Sequence, residues 1–371
     1  MDAVSLAAAK KWADQQNQAF GYNMKDSLID YRIGLSERSV TPCKIYCIGD
    51  SITRGEFTSD EPNTAWSCVL RKSLQAKYGN AGEGFINVYE GALPAGSHSR
   101  VTFGTGWSLS PGSKSGFGGC YANSTGATTP LTINFTGDKF TIIYTKGPTG
   151  GNADVKIDGT SVGSLSCTGA TITFNNYQTF TGLTAGAHVL TIVPANTTQV
   201  WVQGILAEIS TTGIQVHRIG FSGYVSGDWN NTNTKASWAG KPPHLAIIAL
   251  GINDGGTGVS LSTYKNNMDA LVQHFISIGS SVILLPYMTS GSGWASAWPN
   301  YVKVNYELSK KYNTGLIDMY QAWGKSYTFA QTRGLYGPTT NDFSGASGSN
   351  TAHPGDKGHR YIASIVEKNL I

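Results

Sequence analysis

Short runs of consecutive apolar residues set the strongest limit on the fold of this chain. Two of them, at 43–49 ("CKIYCIG") and 244–250 ("HLAIIAL"), lack polar/apolar alternation and lead into Gly-containing polar turns. Strands of this kind are buried on both faces, which is typical of a parallel sheet covered by helices. Helical patterns at 263–279 and 358–370 supply such helices. The patterns predict a three-layer α/β domain.

Between about residues 82 and 212 the pattern changes to short alternating runs interrupted by Gly, Asn and Asp. Examples are "LTINFTG", "KFTIIYTKG" and "HVLTIVP", and strands at this spacing predict a β-sandwich. The simplest organisation is an α/β domain that this sandwich interrupts. It gives four segments: an N-terminal helix and connector (1–37), the first part of the α/β domain (38–81), the inserted sandwich (82–213) and the second part of the α/β domain (214–371).

Charged residues make up only 13% of the chain, against about 25% in typical soluble domains. Gly, Ser, Thr and Asn take their place, which favours an extracellular or carbohydrate-facing surface. The net charge is +4 and no run of Lys or Arg forms a basic stripe, so no nucleic-acid partner is expected. No run reaches the length of about 18 apolar residues that a membrane span needs, so no membrane partner is expected either.

The N-terminal residues turn polar too early for the apolar core of a secretory signal peptide. The expectation is an extracellular or virion-associated location without a conventional signal, with the cytoplasm as the alternative.

The five cysteines are odd in number and irregular in spacing, unlike a disulfide framework or a zinc site. Cys43 and Cys47 flank an apolar strand and are expected to be buried thiols.

Polar residues with the chemistry of acyl transfer follow several of the apolar strands. In an open parallel sheet, ligands bind at the carboxyl ends of the strands. One strand ends at Asp50-Ser51, the next leads to Gly223 in "GFSGY", a third to Asn253 in "GIND", and the last loop carries His353. Acyl transfer needs a nucleophile, a base and donors aimed at the developing oxyanion, and these residue types supply all three.

These segments resemble the ordered blocks of the SGNH (GDSL-like) hydrolases: "GDSIT", "GFSG", "GIND" and "HPGDKGH". The resemblance covers about residues 41–80 and 214–371. It implies a flavodoxin-like three-layer α/β fold and a serine esterase with Ser51 as nucleophile and His353 as general base. The oxyanion hole would consist of the backbone amides of Ser51 and Gly223 and the side-chain amide of Asn253. No cofactor or metal is expected.

One position departs from the family pattern. Family members usually have Asp three residues before the His, and here that residue is Asn350. An amide can orient an imidazole but stabilises imidazolium less than a carboxylate does, and Asp-to-Asn replacement in another serine hydrolase costs about four orders of magnitude in rate. Three outcomes stay open: a Ser–His dyad, a carboxylate from Asp342 or Asp356, or a weakened site. The intact blocks favour a dyad or a substitute acid.

Each block also has a simpler structural interpretation. Ser51 would be an ordinary helix cap and Asn253 part of an Asx turn, although the presence of all four blocks argues against both. Gly227 competes with Gly223 for the role of amide donor. Asp50 is expected to hold the turn before the nucleophile by hydrogen bonds.

Two further patterns are set aside. His353, Asp356 and His359 resemble metal ligands, but no second cluster completes a coordination sphere, so His359 is expected to pack structurally. The run "GTSVG" at 159–163 matches the G-x-S-x-G nucleophile elbow, which needs a strand, a sharp turn and a helix. It lies between strand-like runs, so Ser161 is assigned to a β-hairpin.

The tryptophans divide into two groups. Four lie in loops after the strand-end blocks and either line a sugar-binding cleft or pack in the interior: Trp229, Trp238, Trp294 and Trp298. Trp107 and Trp201 are expected in the sandwich core.

The insertion narrows the substrate class. SGNH hydrolases include lipases, thioesterases, arylesterases and carbohydrate O-deacetylases, and an acyl channel or lid would show as an apolar helical insertion. Here the insertion is rich in Gly, Thr and Asn and resembles the jelly-roll modules that accompany carbohydrate esterases. The expected activity is hydrolysis of small acyl esters, above all acetyl, on a polysaccharide.

The N-terminal segment adds a setting and a rival hypothesis. Val4, Ala8 and Trp12 have helical spacing, and a short isolated helix is marginal in water, so the helix over about residues 3–18 should pack on this chain or on another copy. The segment resembles connectors of phage tail and prophage structural proteins, which implies a tail-associated homotrimer or other homo-oligomer. The rival function is a phage-tail carbohydrate-binding adhesin with a weak or inactive hydrolase domain, which Asn350 favours.

Overall fold

The structure, a computed structural model, describes residues 20–93, 98–110, 114–126, 129–195, 198–210, 212–288, 290–291, 293–336 and 353–371. The helix expected over residues 3–18, with the oligomer contact assigned to it, lies outside these residues. So do Asn350 and Asp342.

A mostly parallel sheet forms the centre of the α/β part of the described chain. Its strands, numbered in chain order and given in spatial order, are β14 (Ile214–Gly220), β2 (Cys43–Gly49), β15 (Leu245–Ala249), β16 (Ser281–Leu284), β17 (Gly315–Ile317) and the antiparallel edge strand β1 (Gly21–Tyr22). Counted along the chain, the parallel strands follow the flavodoxin-like order 2-1-3-4-5. Such a sheet binds ligands at its switch point, here between β2 and β15.

Helices cover this sheet on both faces, because β14, β15, β16 and β17 are buried along their whole length. The helices are α1 (Ile29–Ser36), α2 (Ser51–Arg54), α3 (Glu61–Thr64), α4 (Trp66–Tyr78), α5 (Ser226–Trp229), α6 (Thr232–Ala239), α7 (Ile252–Thr257), α8 (Leu261–Ser277), α9 (Trp298–Tyr312), α10 (Met319–Ala322), α11 (Tyr327–Thr332) and α12 (Asp356–Leu370). Helix α4 packs on β14 and against α12, whereas α8 packs on β16 and against α9. Short 3₁₀ helices span Asp26–Leu28, Val88–Ala92 and Gly293–Ala297.

Two antiparallel sheets lie between α4 and β14 in the chain. One consists, in spatial order, of β10 (Thr160–Ser166), β9 (Asn152–Ile157), β12 (Gly186–Pro194), β7 (Leu131–Gly137) and β4 (Val101–Phe103). The other consists of β11 (Thr173–Phe180), β8 (Lys139–Lys146), β13 (Trp201–Glu208), β6 (Tyr121–Ser124) and β5 (Trp107–Ser110), with β3 (Gly84–Asn87) also paired to β13. Leu131, Ile133 and Phe135 of β7 are buried, and Phe135 packs on Phe140 of β8 with ring centroids 5.3 Å apart. The two sheets therefore share apolar packing.

The second antiparallel sheet also packs on the α/β part. Phe117 makes this contact, because its ring touches Tyr46 of β2 at 5.3 Å and Phe85 of β3 at 4.8 Å between centroids. The β-rich segment therefore shares apolar packing with the α/β part. Its division from that part as a separate inserted sandwich stays a prediction.

The α/β fold class is confirmed. The connector expected within residues 1–37 contains β1 and α1. Ile29 and Ile33 of α1 are exposed while Tyr31 and Gly34 are buried, so the helix lacks the apolar stripe that sequence patterns detect.

The remaining general expectations concern thiols and membrane segments. All five cysteines are buried with free thiols, as expected for Cys43 and Cys47. Within the described ranges, every helix is too short or too polar to cross a membrane.

Candidate active site

Ser51 lies at the carboxyl end of β2, where the strand turns into α2. Asp50 is the N-cap of α2, and its Oδ1 accepts a hydrogen bond from the N–H of Ile52 at 2.9 Å, as expected for this turn. Gly49 makes the turn possible, since a Cβ there would lie 2.0 Å from Thr53 Oγ1. The N–H of Ser51 belongs to the first turn of α2, where amides have no partner within the helix.

His353 comes from the far end of the chain and meets Ser51. Its Nε2 lies 2.8 Å from Ser51 Oγ, and Ser51 is 4% exposed. The next residue, Pro354, pairs with Tyr336, and the N–H of Gly355 donates to Leu335 O at 3.1 Å. These contacts fix the imidazole just before α12 begins, at hydrogen-bond distance from the hydroxyl.

The ring of Phe57 lies against the imidazole of His353, with centroids 4.3 Å apart and planes inclined by 32°. Phe57 has a φ of +70°, which is a genuine outlier for a bulky residue and persists only where its surroundings impose it. The sequence analysis missed this residue, because nothing in the local sequence shows that it meets His353.

Gly223 and Asn253 come together on the other side of the switch point. Gly223 follows β14 in an exposed turn with a φ of +77°, which favours glycine. The side-chain Nδ2 of Asn253, in α7, donates to the backbone carbonyl of Tyr224 at 3.0 Å. This bond places Asn253 beside Gly223. The competing Gly227 lies farther along, within α5, where its neighbour Ser226 bonds to a different residue, Asp254.

Two buried side chains hold these loops in place, and the sequence analysis did not assign either role. The carboxylate of Asp254 accepts hydrogen bonds from the N–H of Ser226 at 3.0 Å and from its hydroxyl at 2.6 Å, which joins α7 to α5. The indole N–H of Trp229 donates to Gly49 O at 3.1 Å, which joins α5 to the end of β2. The three strand ends therefore have fixed relative positions.

Burial raises the pKa of Asp50 to about 7, against the bond from Ile52, and its Oδ2 has no hydrogen-bond partner within the described residues. Burial also raises the pKa of Asp254, with the bonds from Ser226 acting in the opposite direction. The raised pKa disfavours a negative charge on Asp50 beneath the nucleophile. Such a charge would oppose an oxyanion at this strand end.

The third partner of His353 is open, since Asn350 and Asp342 lie outside the described residues. Asp356 binds elsewhere. Its Oδ1 accepts from the N–H of Ser59 at 2.9 Å and its Oδ2 from the Ser59 hydroxyl at 2.5 Å. These bonds hold the loop that carries Phe57 against α12, and they argue against Asp356 as the substitute acid.

His359 and Ser161 have structural positions. His359 is fully buried in α12, where its Nδ1 accepts from the N–H of Trp66 at 3.0 Å. No group of three His, Cys, Asp or Glu side chains able to hold a metal occurs in the described part of the chain. Ser161 lies in β10 beside a β-bulge and donates to Asp154 Oδ1 at 2.6 Å, and no helix follows it.

The tryptophans of the α/β loops pack in the interior. Trp229, Trp238 and Trp298 are fully buried, so the sugar-cleft interpretation is wrong for them, and the side chain of Trp294 lies outside what the structure describes. Burial of these three indoles is possible because each N–H donates to a backbone carbonyl. Trp238 donates to Phe117 O and Trp298 to Tyr287 O, both at 3.0 Å. Trp107 and Trp201 of the β-rich segment are each 8% exposed.

Residues 182–361 match the model of the GDSL-like Lipase/Acylhydrolase family. The match includes Gly223, Asn253 and His353, whereas Ser51 lies before it. Comparison with curated proteins gave no match.

Among solved structures, a peptidoglycan O-acetylesterase is similar with a TM-score of 0.71 at 15% identity, covering 95% of this chain and 98% of that one. At this identity the likeness shows a shared fold. A family two carbohydrate esterase from Clostridium thermocellum gives 0.30 at 12% identity, covering 66% and 92%. A lipase/acylhydrolase from Enterococcus faecalis gives 0.33 at 18% identity, covering 42% and 74%. Scores this low carry no argument.

Proposed function

We propose that this chain, which contains a GDSL-like lipase/acylhydrolase domain and is a carboxylic ester hydrolase, removes small acyl groups, above all acetyl, from a polysaccharide. The observation that carries the proposal is the 2.8 Å contact between Ser51 Oγ and His353 Nε2 at the switch point of the sheet. A hydroxyl and an imidazole at this distance are the pair that nucleophilic catalysis needs.

In the proposed reaction, Ser51 Oγ attacks the ester carbonyl while His353 Nε2 takes its proton. The N–H groups of Ser51 and Gly223 and the amide of Asn253 donate to the oxyanion of the tetrahedral intermediate. The intermediate collapses, the C–O bond to the sugar breaks, and His353 protonates the departing hydroxyl. Water, deprotonated by His353, then attacks the acyl-enzyme and releases acetate and free Ser51.

We further propose that His353 works with Ser51 either as a dyad or with a substitute acid other than Asp356. The bonds of Asp356 to Ser59 support this, since they engage that carboxylate elsewhere. A dyad predicts that Asn350→Asp raises turnover, because a carboxylate stabilises the imidazolium that forms during attack. Unchanged turnover in Asn350→Asp, together with lost turnover in Asp342→Ala, would contradict the dyad and assign the acid to Asp342.

The polysaccharide substrate rests on two supports. The fold is shared along nearly the whole chain with a peptidoglycan O-acetylesterase. The β-rich segment is rich in Gly, Thr and Asn, and its Gly119 carbonyl accepts a hydrogen bond from Tyr224, the residue after Gly223. Both favour an acylated glycan over a lipid.

The test compares wild type with Ser51→Ala on p-nitrophenyl acetate and on O-acetylated xylan and O-acetylated peptidoglycan, with acetate release as the readout. We expect Ser51→Ala to lower kcat by at least about 10³-fold. Ser161→Ala is the matched control and should behave as wild type, because Ser161 lies in the hairpin. Equal, negligible turnover in wild type and Ser51→Ala would contradict the proposed esterase activity and favour the carbohydrate-binding adhesin.

A further inference from the structure

A cavity of about 370 Å³ opens at the second antiparallel sheet, and neither Ser51 nor His353 lines it. It is lined by Tyr121, Thr145, Ile172, Phe174, Trp201 and Asn233. Five of these residues come from the β-rich segment, whereas Asn233 comes from α6 of the α/β part. The cavity therefore lies on the boundary between the two parts.

Strand directions put this cavity at the active-site end of the molecule. Strand β3 begins next to β14 in parallel, since Asn80 pairs with Ile214, and β13 runs antiparallel to β3. Strand β13 is thus antiparallel to β14. Trp201, which begins β13, lies at the end where β14 leads to Gly223.

A direct contact joins the cavity to the oxyanion loop. The hydroxyl of Tyr224, the residue after Gly223, donates to Gly119 O at 2.5 Å. Tyr121 lies two residues after Gly119, so their Cα atoms are at most about 7 Å apart. The segment that leads into Tyr121 of the cavity wall therefore contacts the residue next to Gly223.

The lining has the chemistry of a site for a neutral sugar ring. Phe174 and Trp201 are each 8% exposed and, with Tyr121, offer aromatic surface to C–H groups. Thr145 Oγ1 accepts a hydrogen bond from Gln203 Nε2 at 3.1 Å, which leaves its own proton for a ligand oxygen. The amide of Asn233, whose Nδ2 donates to Ser115 Oγ at 3.5 Å, adds an acceptor and its second N–H. None of the six lining residues carries a charge, which disfavours an ionic group.

We infer that this cavity is a subsite for one pyranose ring of the glycan whose ester reaches Ser51. The inference rests on the proposed function, since it makes the glycan the substrate. Ile172, 64% exposed at the rim, would contact the next part of the chain. The β-rich segment would thus bind the polymer directly beside the site of ester cleavage.

The experiment measures binding without catalysis. Full-length Ser51→Ala protein is titrated with tetrasaccharides of β-1,4-linked N-acetylglucosamine and of β-1,4-linked xylose by isothermal calorimetry. Asn233→Trp in that background should fill the cavity and weaken binding at least about tenfold. Ile172→Asp should weaken it similarly without destabilising the fold, because Ile172 is exposed. Thr232→Trp, the same change one residue earlier on an exposed position, should bind as Ser51→Ala does.

A kinetic measurement in the active enzyme complements the titration. Asn233→Trp should lower the ratio of kcat/KM on O-acetylated glycan to that on p-nitrophenyl acetate, through KM. The inference is overturned if neither tetrasaccharide binds, or if binding survives both Asn233→Trp and Ile172→Asp. These outcomes are separate from failure of the esterase, which the acetate release of wild type against Ser51→Ala decides.

Discussion

The side-chain amide of Asn253 has one N–H committed to Tyr224 O, which leaves the other for an oxyanion. We expect Asn253→Ala to lower kcat on p-nitrophenyl acetate by about 10²–10³, the cost of one oxyanion donor, with little change in KM. Asn134→Ala, which removes an exposed Asn from β7, is the control. A raised KM with an unchanged kcat would instead mean that Asn253 only binds substrate.

The ring of Phe57 is expected to stabilise the protonated imidazole of His353. An aromatic face against an imidazolium stabilises the cation by about 0.5–2 kcal/mol, so Phe57→Leu should lower kcat about two- to thirtyfold. The acid limb of the kcat/KM profile should move to lower pH, because loss of the ring disfavours the protonated imidazole. Glu56 and Asp356, the nearby carboxylates, are unchanged in this variant.

Phe57→Tyr keeps the aromatic face and serves as the matched variant. It should retain most of the activity and the wild-type acid limb. An unmoved acid limb in Phe57→Leu, with a raised KM, would assign the ring to substrate binding instead.

The residues that meet at the switch point could be proposed from sequence because each follows a recognisable strand. Ser51, Gly223 and Asn253 need only the rule that parallel strands end at one edge. The roles of Phe57 and Asp254 could not be predicted from sequence. Each depends on a partner, His353 or Ser226, that only the folded chain brings near. Asp254 reads locally as an ordinary turn residue.

At the level of helices and strands, a buried cluster of charges joins the β-rich segment to the α/β part. Glu90 belongs to the 3₁₀ helix Val88–Ala92. Its Oε1 lies 2.6 Å from Nη2 of Arg218 in β14 and 2.5 Å from Nη2 of Arg100. Burial acts to raise the pKa of Glu90, but the two guanidinium groups outweigh it and hold the pKa below its usual value. The cluster explains how a strand of the central sheet tolerates Arg218.

Glu90→Gln removes the carboxylate that Arg218 and Arg100 share, although Arg100 keeps Glu83 at 2.7 Å and Arg218 keeps Glu61 at 3.8 Å. It should lower the free energy of unfolding by about 3 kcal/mol, the lower end for a broken buried pair. Glu307→Gln is the control, because its pair with Lys265 is about half exposed and should contribute at most about 1 kcal/mol. Urea unfolding at pH 7 measures both. Similar small losses in the two variants would show that the buried cluster is not a stabilising junction.

Helix and strand positions followed from sequence where apolar residues face the core. The apolar runs of β2 and β15 identified the sheet, and the alternating runs identified most of the antiparallel strands. Helix α1 was missed because Ile29 and Ile33 face outward. Loop tryptophans were ambiguous, since the carbonyl that accepts each indole N–H comes from a distant segment.

The whole molecule carries buried histidines that affect its response to acid. Burial, helped by Lys44 and Arg71, lowers the pKa of His217 to about 3, and neither ring nitrogen has a hydrogen-bond partner among the described residues. Burial likewise lowers the pKa of His359 to about 3. At these two histidines the unfolded chain therefore binds more protons than the folded one below about pH 6.5, and their contribution to stability falls as the pH falls. Asp50, with its raised pKa, acts in the opposite direction.

His217→Phe isolates one part of this response, because Tyr46 and Phe117 already surround the ring with aromatic contacts. Between pH 7.5 and pH 5, His217 should cost the wild type about 2 kcal/mol of unfolding free energy that the variant does not lose. His359 and Asp50 are present in both proteins and cancel in the difference. Denaturant unfolding of both proteins at the two pH values measures it. A difference that does not change with pH would mean that His217 can take up a proton in the folded state, so that its buried surroundings admit a charge.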